Sequence, residues 1–427
     1  MKSTLYCAFD AFIKKHNLLH KRCLLALSGG VDSMALFSIA KQFADKGLLE
    51  FEVAHIDHGW RPESSIQAKA LEKWVEAQGI RFHLYTIETQ PLSDKENQAR
   101  IERIQFFKKI THRHKLKGVL LAHHADDQAE TVLKRVFEGS GIDTFQGLLP
   151  VRNLDNVLLF RPLLTFEKKV LEKEVKRLNL PVLEDVSNQD IRFLRNRMRI
   201  ALIPGLEKHF GKSIKLNLNH LAQVSGEIED LLKQTLEKEL HTQIKGPIGR
   251  AALFSSNSSP ATLRYFLKQW AREEQQVLTQ QAIHTLLYAL DNDAAHDKHV
   301  LTSDWVISRF ERAFIFIKKS LLTHPEKIVT LYKSYTCAPE HRVKKEQNWK
   351  TFLAGSCYCS IPYDQVLMLS ELPKEKQQRI RKWYSTHKVP CVLRNLAPLF
   401  FEKRVLVFEP LTGEKRVGFE KHPLTSS

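Results

Sequence analysis

Over residues 1–215, short apolar runs alternate with longer stretches in which apolar positions recur every three or four residues. Cys23–Leu27, Phe51–Asp57, Phe82–Ile87 and Val119–Ala122 are short, apolar and bounded by turn or polar residues, and they read as strands. Met34–Phe43, Ile66–Gln78 and Asn97–His112 carry the helical period between them, and Leu5, Phe9, Phe12 and Ile13 place a further helix at the start. Strand and helix in alternation predict an α/β fold, a doubly wound parallel sheet covered on both faces. Ligands in such folds bind beyond the carboxyl ends of the strands.

The pattern changes after Leu216. Leu221, Val224, Ile228, Leu231, Leu232 and Leu236 form one apolar stripe in a polar segment. Ala261–Glu273 and Gln280–Leu290 read as two more helices, and Lys298–Lys318 alternates like a hairpin. A Thr-His-Pro-Glu-Lys linker then opens a region of mixed strands and helices. The expected organisation is a catalytic domain over 1–215, a helical domain over 216–322 and a small mixed α/β domain over 323–427.

Composition adds a direction to this. Lys and Arg number 65 against 48 Asp and Glu, a net charge of +17, which favours a polyanionic partner such as nucleic acid. No apolar run is long enough to span a bilayer, and Asp10 and His16 interrupt the N-terminal apolar stretch, so neither a membrane span nor a signal peptide is expected. The six cysteines are scattered, and they read as reduced thiols of a cytoplasmic protein.

The chemistry starts at the end of the first strand. Ser28-Gly29-Gly30-Val31-Asp32-Ser33 stops it abruptly before a helix. Adjacent glycines let the backbone approach an anion closely, and the helix N-terminus adds unpaired donors and a dipole. Ser28 and Ser33 add hydroxyl donors. Asp32 is repelled by phosphate unless it holds Mg²⁺ or caps the helix. The lysine of a Walker A loop is missing. The hexapeptide resembles the signature of the ATP-pyrophosphatase (PP-loop) superfamily, which implies cleavage of ATP between its α and β phosphates to adenylate a substrate oxygen.

Two further motifs follow strands. His55-Ile56-Asp57-His58-Gly59 offers His55 and Asp57 either as metal ligands or as walls of the nucleotide pocket. Ala122-His123-His124-Ala125-Asp126-Asp127-Gln128-Ala129-Glu130 places Asp127 and Glu130 on one helix face, where two carboxylates suit a cationic substrate or Mg²⁺. His123 and His124 suit donation to phosphate or to developing negative charge, and Asp126 or Asp127 suits the helix cap. Gly139-Ser140-Gly141, Gly147-Leu148, Arg161-Pro162-Leu163-Leu164 and Asp185-Val186-Ser187-Asn188 complete the series, which runs into Arg195-Asn196-Arg197-Met198-Arg199.

In this order the set resembles the tRNA(Ile)-lysidine synthetase family, and Lys388-Val389-Pro390, Arg394 and Pro398 are similar to that family's C-terminal module. The resemblance implies ATP with Mg²⁺, L-lysine and an isoleucine tRNA with a CAU anticodon as reactants, and a homodimer. It implies a two-step reaction: ATP adenylates the 2-carbonyl oxygen of the wobble cytidine, and the ε-amine of lysine displaces AMP to give lysidine. Asp32, His123, Asp127 and Glu130 are then the expected catalytic residues, and Asp32 the possible metal ligand. Ser28, Gly29, Gly30, Val31, Asp32, Ser33, His55 and Asp57 are the expected ATP-binding set. The sequence departs from the family pattern at Glu138 (arginine is usual), at Ile104 (tyrosine) and at Cys391-Val392 (proline and tryptophan).

Arg192, Arg195 and Arg199 share a helical face and are expected to contact tRNA, with Ile191, Leu194, Met198 and Leu202 as a separate apolar stripe. Lys374, Lys376, Arg379, Arg381 and Lys382 run into Trp383 and Tyr384, a pairing that suits phosphates and stacked bases. The alternatives are other PP-loop enzymes. A tRNA cytidine thiolase needs a Cys-x-x-Cys pair or an iron–sulfur cluster, and Cys7 and Cys23 have no partner at that spacing. A small-molecule adenylating synthetase needs an ammonia source, and no amidotransferase nucleophile is evident.

Overall fold

The computed structural model describes residues 4–57, 59, 63–87, 95–183, 194–287, 298–324, 327–328, 348–355, 365–403 and 405–412. The chain divides into two compact units, Met1–Glu229 and Asp230–Ser427.

The first unit runs α1 (Thr4–Lys15), β1 (Arg22–Ala26), α2 (Val31–Ala44), β2 (Glu50–Asp57), α3 (Ser64–Glu76), β3 (Phe82–Thr86), α4 (Lys95–Arg113), β4 (Val119–Leu120) and α5 (Ala125–Phe137). It continues with β5 (Val151–Leu154), β6 (Val157–Phe160), α6 (Lys168–Arg177), the short α7 (Leu194–Arg197), a π-helical turn over Met198–Leu202, α8 (Ile203–Phe210) and α9 (Ile214–Glu239). The sheet has the order β3-β2-β1-β4-β6-β5, parallel except for the edge strand β5. The β5–β6 hairpin was not expected. Asp155 and Asn156 make its two-residue turn with φ of 51° and 67°, the left-handed pair such a turn demands.

Both faces are covered, as the alternation predicts. Cys23, Leu25, Leu27, Phe51 and Val53 pack with Phe9, Met34, Phe43 and Leu171 on one side, and Leu24 and Ala54 pack with Phe106, Phe107 and Ile110 on the other. Burial of each large side chain stabilises by about 1.5–3 kcal/mol. A strand buried on both faces reads as a continuous apolar run, which is why β1 stands out in the sequence. The chain leaves β1 toward β2 and β3, then returns to lay β4 on the opposite side of β1. The carboxyl ends of β1 and β4 thus flank a topological switch point, where a crevice opens.

In the second unit the helices α10 (Pro260–Glu273) and α11 (Gln280–Leu287) lie where expected, accompanied by an antiparallel sheet. Its strands β7 (Leu240–Lys245), β8 (Gly249–Phe254), β9 (Lys298–Leu301), β10 (Trp305–Phe310) and β11 (Ala313–Lys318) have the order β7-β8-β11-β10-β9. The β10–β11 hairpin was legible. Strands β7 and β8 were not, because β7 is an edge strand with little apolar alternation and β8 buries the helix-former alanine at positions 251 and 252. Phe254, Phe266, Trp270, Trp305, Phe314 and Phe316 fill the space between sheet and helices, Trp270 stacking on Phe316 at 4.3 Å. A small sheet of β12 (Gln365–Met368), β13 (Pro398–Glu402) and β14 (Val405–Phe408) closes the chain.

Candidate active site

The phosphate loop is shorter than expected, since α2 starts at Val31 rather than Met34. Val31, Asp32 and Ser33 form its first turn, and the Val31 side chain packs onto the core. Gly30 is the N-cap and supplies no side-chain acceptor, so Asp32 does not cap the helix. Gly29 sits at φ 84°, and a Cβ there would lie 2.5 Å from Leu183 Cδ1. Its carbonyl accepts the Leu183 amide at 2.9 Å. The position therefore needs glycine twice, for conformation and for close approach. Ser33 Oγ donates to the Gly30 carbonyl at 2.9 Å and lies 3.1 Å from Ser28 Oγ, so the two hydroxyls share one rim of the loop.

Asp32 carries the oddest atom of the site. Its Oδ1 is buried and has no hydrogen-bond partner among the described residues, while Oδ2 lies 3.4 Å from His124 Nε2. A buried carboxylate oxygen without a donor is costly unless a cation completes it.

The second half of the site follows β4. His124, not Asp126 or Asp127, caps α5: its Nδ1 accepts the Asp126 amide at 3.2 Å, and its own amide donates to Asp127 Oδ2 at 3.0 Å. His124 Nε2 also stands 3.6 Å from Asp127 Oδ2, so this imidazole bridges Asp32 and Asp127. Burial works against its charged form, but the Asp32 hydrogen bond and the charges of Asp127, Asp32 and Asp126 outweigh that and raise its pKa. His123 goes the other way. Burial, helped by Arg161, Arg195 and Arg103 and opposed by Asp127, lowers it to about 4. Its Nδ1 accepts from Arg161 Nε at 3.2 Å, so the neutral ring presents Nε2–H.

Asp127 and Glu130 share a face of α5 as expected, and both are buried. Arg195 and Arg199, expected on a tRNA-contacting face, have their guanidinium groups turned onto these carboxylates. Arg195 Nε donates to Glu130 Oε2 at 2.7 Å and its Nη2 to Asp127 Oδ1. Arg199 Nε donates to Glu130 Oε1 at 2.7 Å, and its Nη2 to Asp127 Oδ1 at 3.2 Å. Two carboxylates thus meet two guanidiniums in forked, charge-assisted bonds. Against the penalty of burial, His124 and Arg195 hold the Asp127 carboxyl below its ordinary pKa. Arg192 and Asp185-Val186-Ser187-Asn188 lie outside the described residues.

A cavity of about 600 Å³ opens between the loop and α4, lined by Ser28, Asp32, Ser33 and His123. From β2 it takes Ala54 and Ile56. His55 and Asp57 alternate to the other side of the strand, where His55 Nδ1 donates to the Leu27 carbonyl at 2.7 Å and Asp57 accepts the Gly59 amide at 2.9 Å. These two residues brace the turn beside the pocket and do not line it. The wall holds six cations that motif reading largely missed, namely Arg100, Arg103, Lys134, Arg135, Arg152 and Arg161. Burial, with Arg152 and Arg100 beside it, pushes Arg161 down to about 10. Like charges crowded at a cavity wall fit a polyanion. Glu138 and Ile104, two of the departures from the family pattern, line the same wall, and Lys134 lies 3.6 Å from Glu138.

Comparison with known proteins agrees with this geometry. The family described as PP-loop domain matches residues 1–206. A tRNA(Ile)-lysidine synthase of Protochlamydia amoebophila is 30% identical over 96% of this chain and 93% of its own length. The chain belongs to the tRNA(Ile)-lysidine synthase family. The enzymes of that name from Chlamydia pneumoniae (42% identity, 50% of this chain and 66% of theirs) and from a Nostoc species (32%, 66% and 82%) match it over shorter spans. Family membership makes the chain an ATP-using ligase with a PP-loop domain. Among the described residues, no helix is long and apolar enough to cross a membrane.

Proposed function

We propose that the protein joins L-lysine to C2 of the wobble cytidine in the CAU anticodon of an isoleucine tRNA, by way of an adenylated cytidine, releasing AMP and pyrophosphate. The product reads AUA as isoleucine. The observation that carries this is the His124 bridge, 3.4 Å from Asp32 and 3.6 Å from Asp127, which couples the phosphate loop to a buried carboxylate pair.

The loop and the cationic wall hold the triphosphate, with the Gly30–Ser33 turn directed at its phosphates. The buried, unpartnered Oδ1 of Asp32 fits Mg²⁺, which takes one or two carboxylates together with phosphate oxygens. When bound there it supplies charge neutralisation at the α and β phosphates. Neutral His123 presents Nε2–H to oxygen that gains charge. Adenylation turns the cytidine 2-oxygen into a good leaving group. Lysine must then attack as the free amine, so its ammonium loses a proton inside the site. Asp127 and Glu130 are the acceptors that orient that amine, and Arg195 and Arg199 hold both carboxylates in place.

A homodimer and a cytoplasmic location belong to the same proposal. Exposed apolar side chains on α9 support the former, because only Ala222 and Ser225 of that helix are buried while Leu216 and Leu231 are more than half exposed. In the second unit, Lys374, Lys376, Arg379, Arg381 and Lys382 are exposed and suit RNA phosphates. Their aromatic neighbours do not suit base stacking, since Tyr384 is fully buried and Trp383 packs on the core.

The direct test is incubation of the purified protein with ATP, labelled lysine and the isoleucine tRNA. Lysine label in the tRNA, matched by AMP and pyrophosphate, is the expected result. Absence of label with folded protein and cognate tRNA rejects the proposal.

A further inference from the structure

At the opposite end of the same sheet, Glu52 near the start of β2, His83 on β3 and His114 just after α4 converge. Their ligand atoms lie within 4.8 Å of one another, the only such group of three among the described residues. His83 Nε2 is 2.7 Å and His114 Nδ1 2.9 Å from the same oxygen, Glu52 Oε2. The other oxygen, Oε1, accepts from Arg22 Nη2 at 2.6 Å, with Arg81 Nη1 at 4.0 Å. The two imidazole rings stand nearly perpendicular, their centroids 4.8 Å apart.

His114 Nδ1 also lies 3.2 Å from Arg81 Nη1, so an exposed guanidinium shares the approach to the cluster. With their ring protons removed, the two imidazole nitrogens and the carboxylate oxygen each offer a lone pair, and one divalent cation can accept all three.

We infer that Glu52, His83 and His114 form a zinc site that fastens the C-terminal end of α4 to strands β2 and β3. Two imidazoles and a carboxylate are a recurrent zinc ligand set that leaves a fourth position for water, and two nitrogen ligands disfavour Mg²⁺ and Ca²⁺. Ligand atoms of a tetrahedral site sit about 3.3 Å apart for bonds of about 2.0 Å, so the side chains separate by roughly half an ångström. Arg22 on Oε1 holds the carboxylate in the way an outer partner orients a ligand. His83 and His114 keep about one-seventh of their side-chain surface exposed, which gives an ion an entry path. Arg81, 62% exposed, has to turn aside when an ion takes the His114 Nδ1 lone pair. The site is structural, since the phosphate loop follows the other end of β1.

The test uses the full-length protein stripped of metal with a chelator, then titrated with zinc chloride and, separately, cobalt(II) chloride. Wild type is expected to take up one more tight zinc per chain than His83→Gln or His114→Gln, all three showing the same far-ultraviolet circular dichroism. Saturating zinc should raise the Tm of wild type by roughly 5–10 °C more than that of either variant. Bound cobalt in wild type should show the strong visible absorption of a low-coordinate ion. Equal zinc content and equal Tm response in wild type and variants overturns the site, and so does a wild-type cobalt complex without that absorption.

Discussion

The two acidic groups that meet at His124 are opposites. Among the described residues Asp32 keeps a buried oxygen with no partner, whereas Asp127 and Glu130 are bonded by two arginines and by the cap of their own helix. On the proposed function, the unfinished carboxylate is the place for a cation that arrives with the nucleotide. A finished pair is already bonded and positioned before any substrate enters, and it needs arginines from a segment far along the chain. The difference teaches that acidic motifs in one cleft need not do the same work, and that partner count separates them better than residue type.

The largest effect should come from the unfinished half. Asp32→Ala is expected to cut pyrophosphate release by about 10³-fold or more, within the range for losing a charge-stabilising group, while tRNA affinity stays within about threefold. Next comes the finished half. Arg195→Ala leaves Glu130 and Asp127 with one guanidinium, and lysine incorporation should fall by about 10²-fold. The salt dependence of tRNA binding separates this reading from a phosphate contact: log K against log salt keeps its slope in the variant, whereas a lost phosphate contact reduces it by about one unit.

Gly29→Ala is a smaller perturbation, placing a Cβ at φ 84° against Leu183. Strain of about 1–3 kcal/mol should raise the KM for ATP by roughly tenfold, with lysine KM unchanged. The last effect is on stability against pH and leaves activity at neutral pH out of account. The folded chain keeps His123 neutral down to about 4, while the unfolded chain protonates it near its ordinary value of 6.5. Its contribution is therefore complete above about pH 6.5 and declines as pH falls toward 4, by up to ~3 kcal/mol. His123→Gln should flatten denaturation midpoints across that window, and an unchanged slope would remove the burial argument.

Much of the site was legible because it is local. The phosphate loop and the Asp127–Glu130 face each lie within one strand–helix junction, where glycines and helical spacing reveal them. The partners were not legible, for Arg195 meets Glu130 across 65 residues of sequence and nothing in either segment announces the other. His124 was read as a donor to phosphate, yet its geometry makes it a cap and a bridge. Arg100 and Arg103 look like one more solvated helix face until α4 is laid over the crevice. In the fold, the buried strands β1 and β2 were plain from apolar runs, while β7 and β8 were hidden by exposed polar residues and by alanine.

The central claim is that these halves run different steps, Asp32 adenylation and Glu130 the lysine attack. ATP–pyrophosphate exchange, measured with tRNA present and lysine absent, isolates the first step. Wild type and Glu130→Gln should both exchange, Asp32→Ala should not, and Glu130→Gln should then fail to incorporate lysine. Loss of exchange in Glu130→Gln to the same degree as in Asp32→Ala would contradict the division.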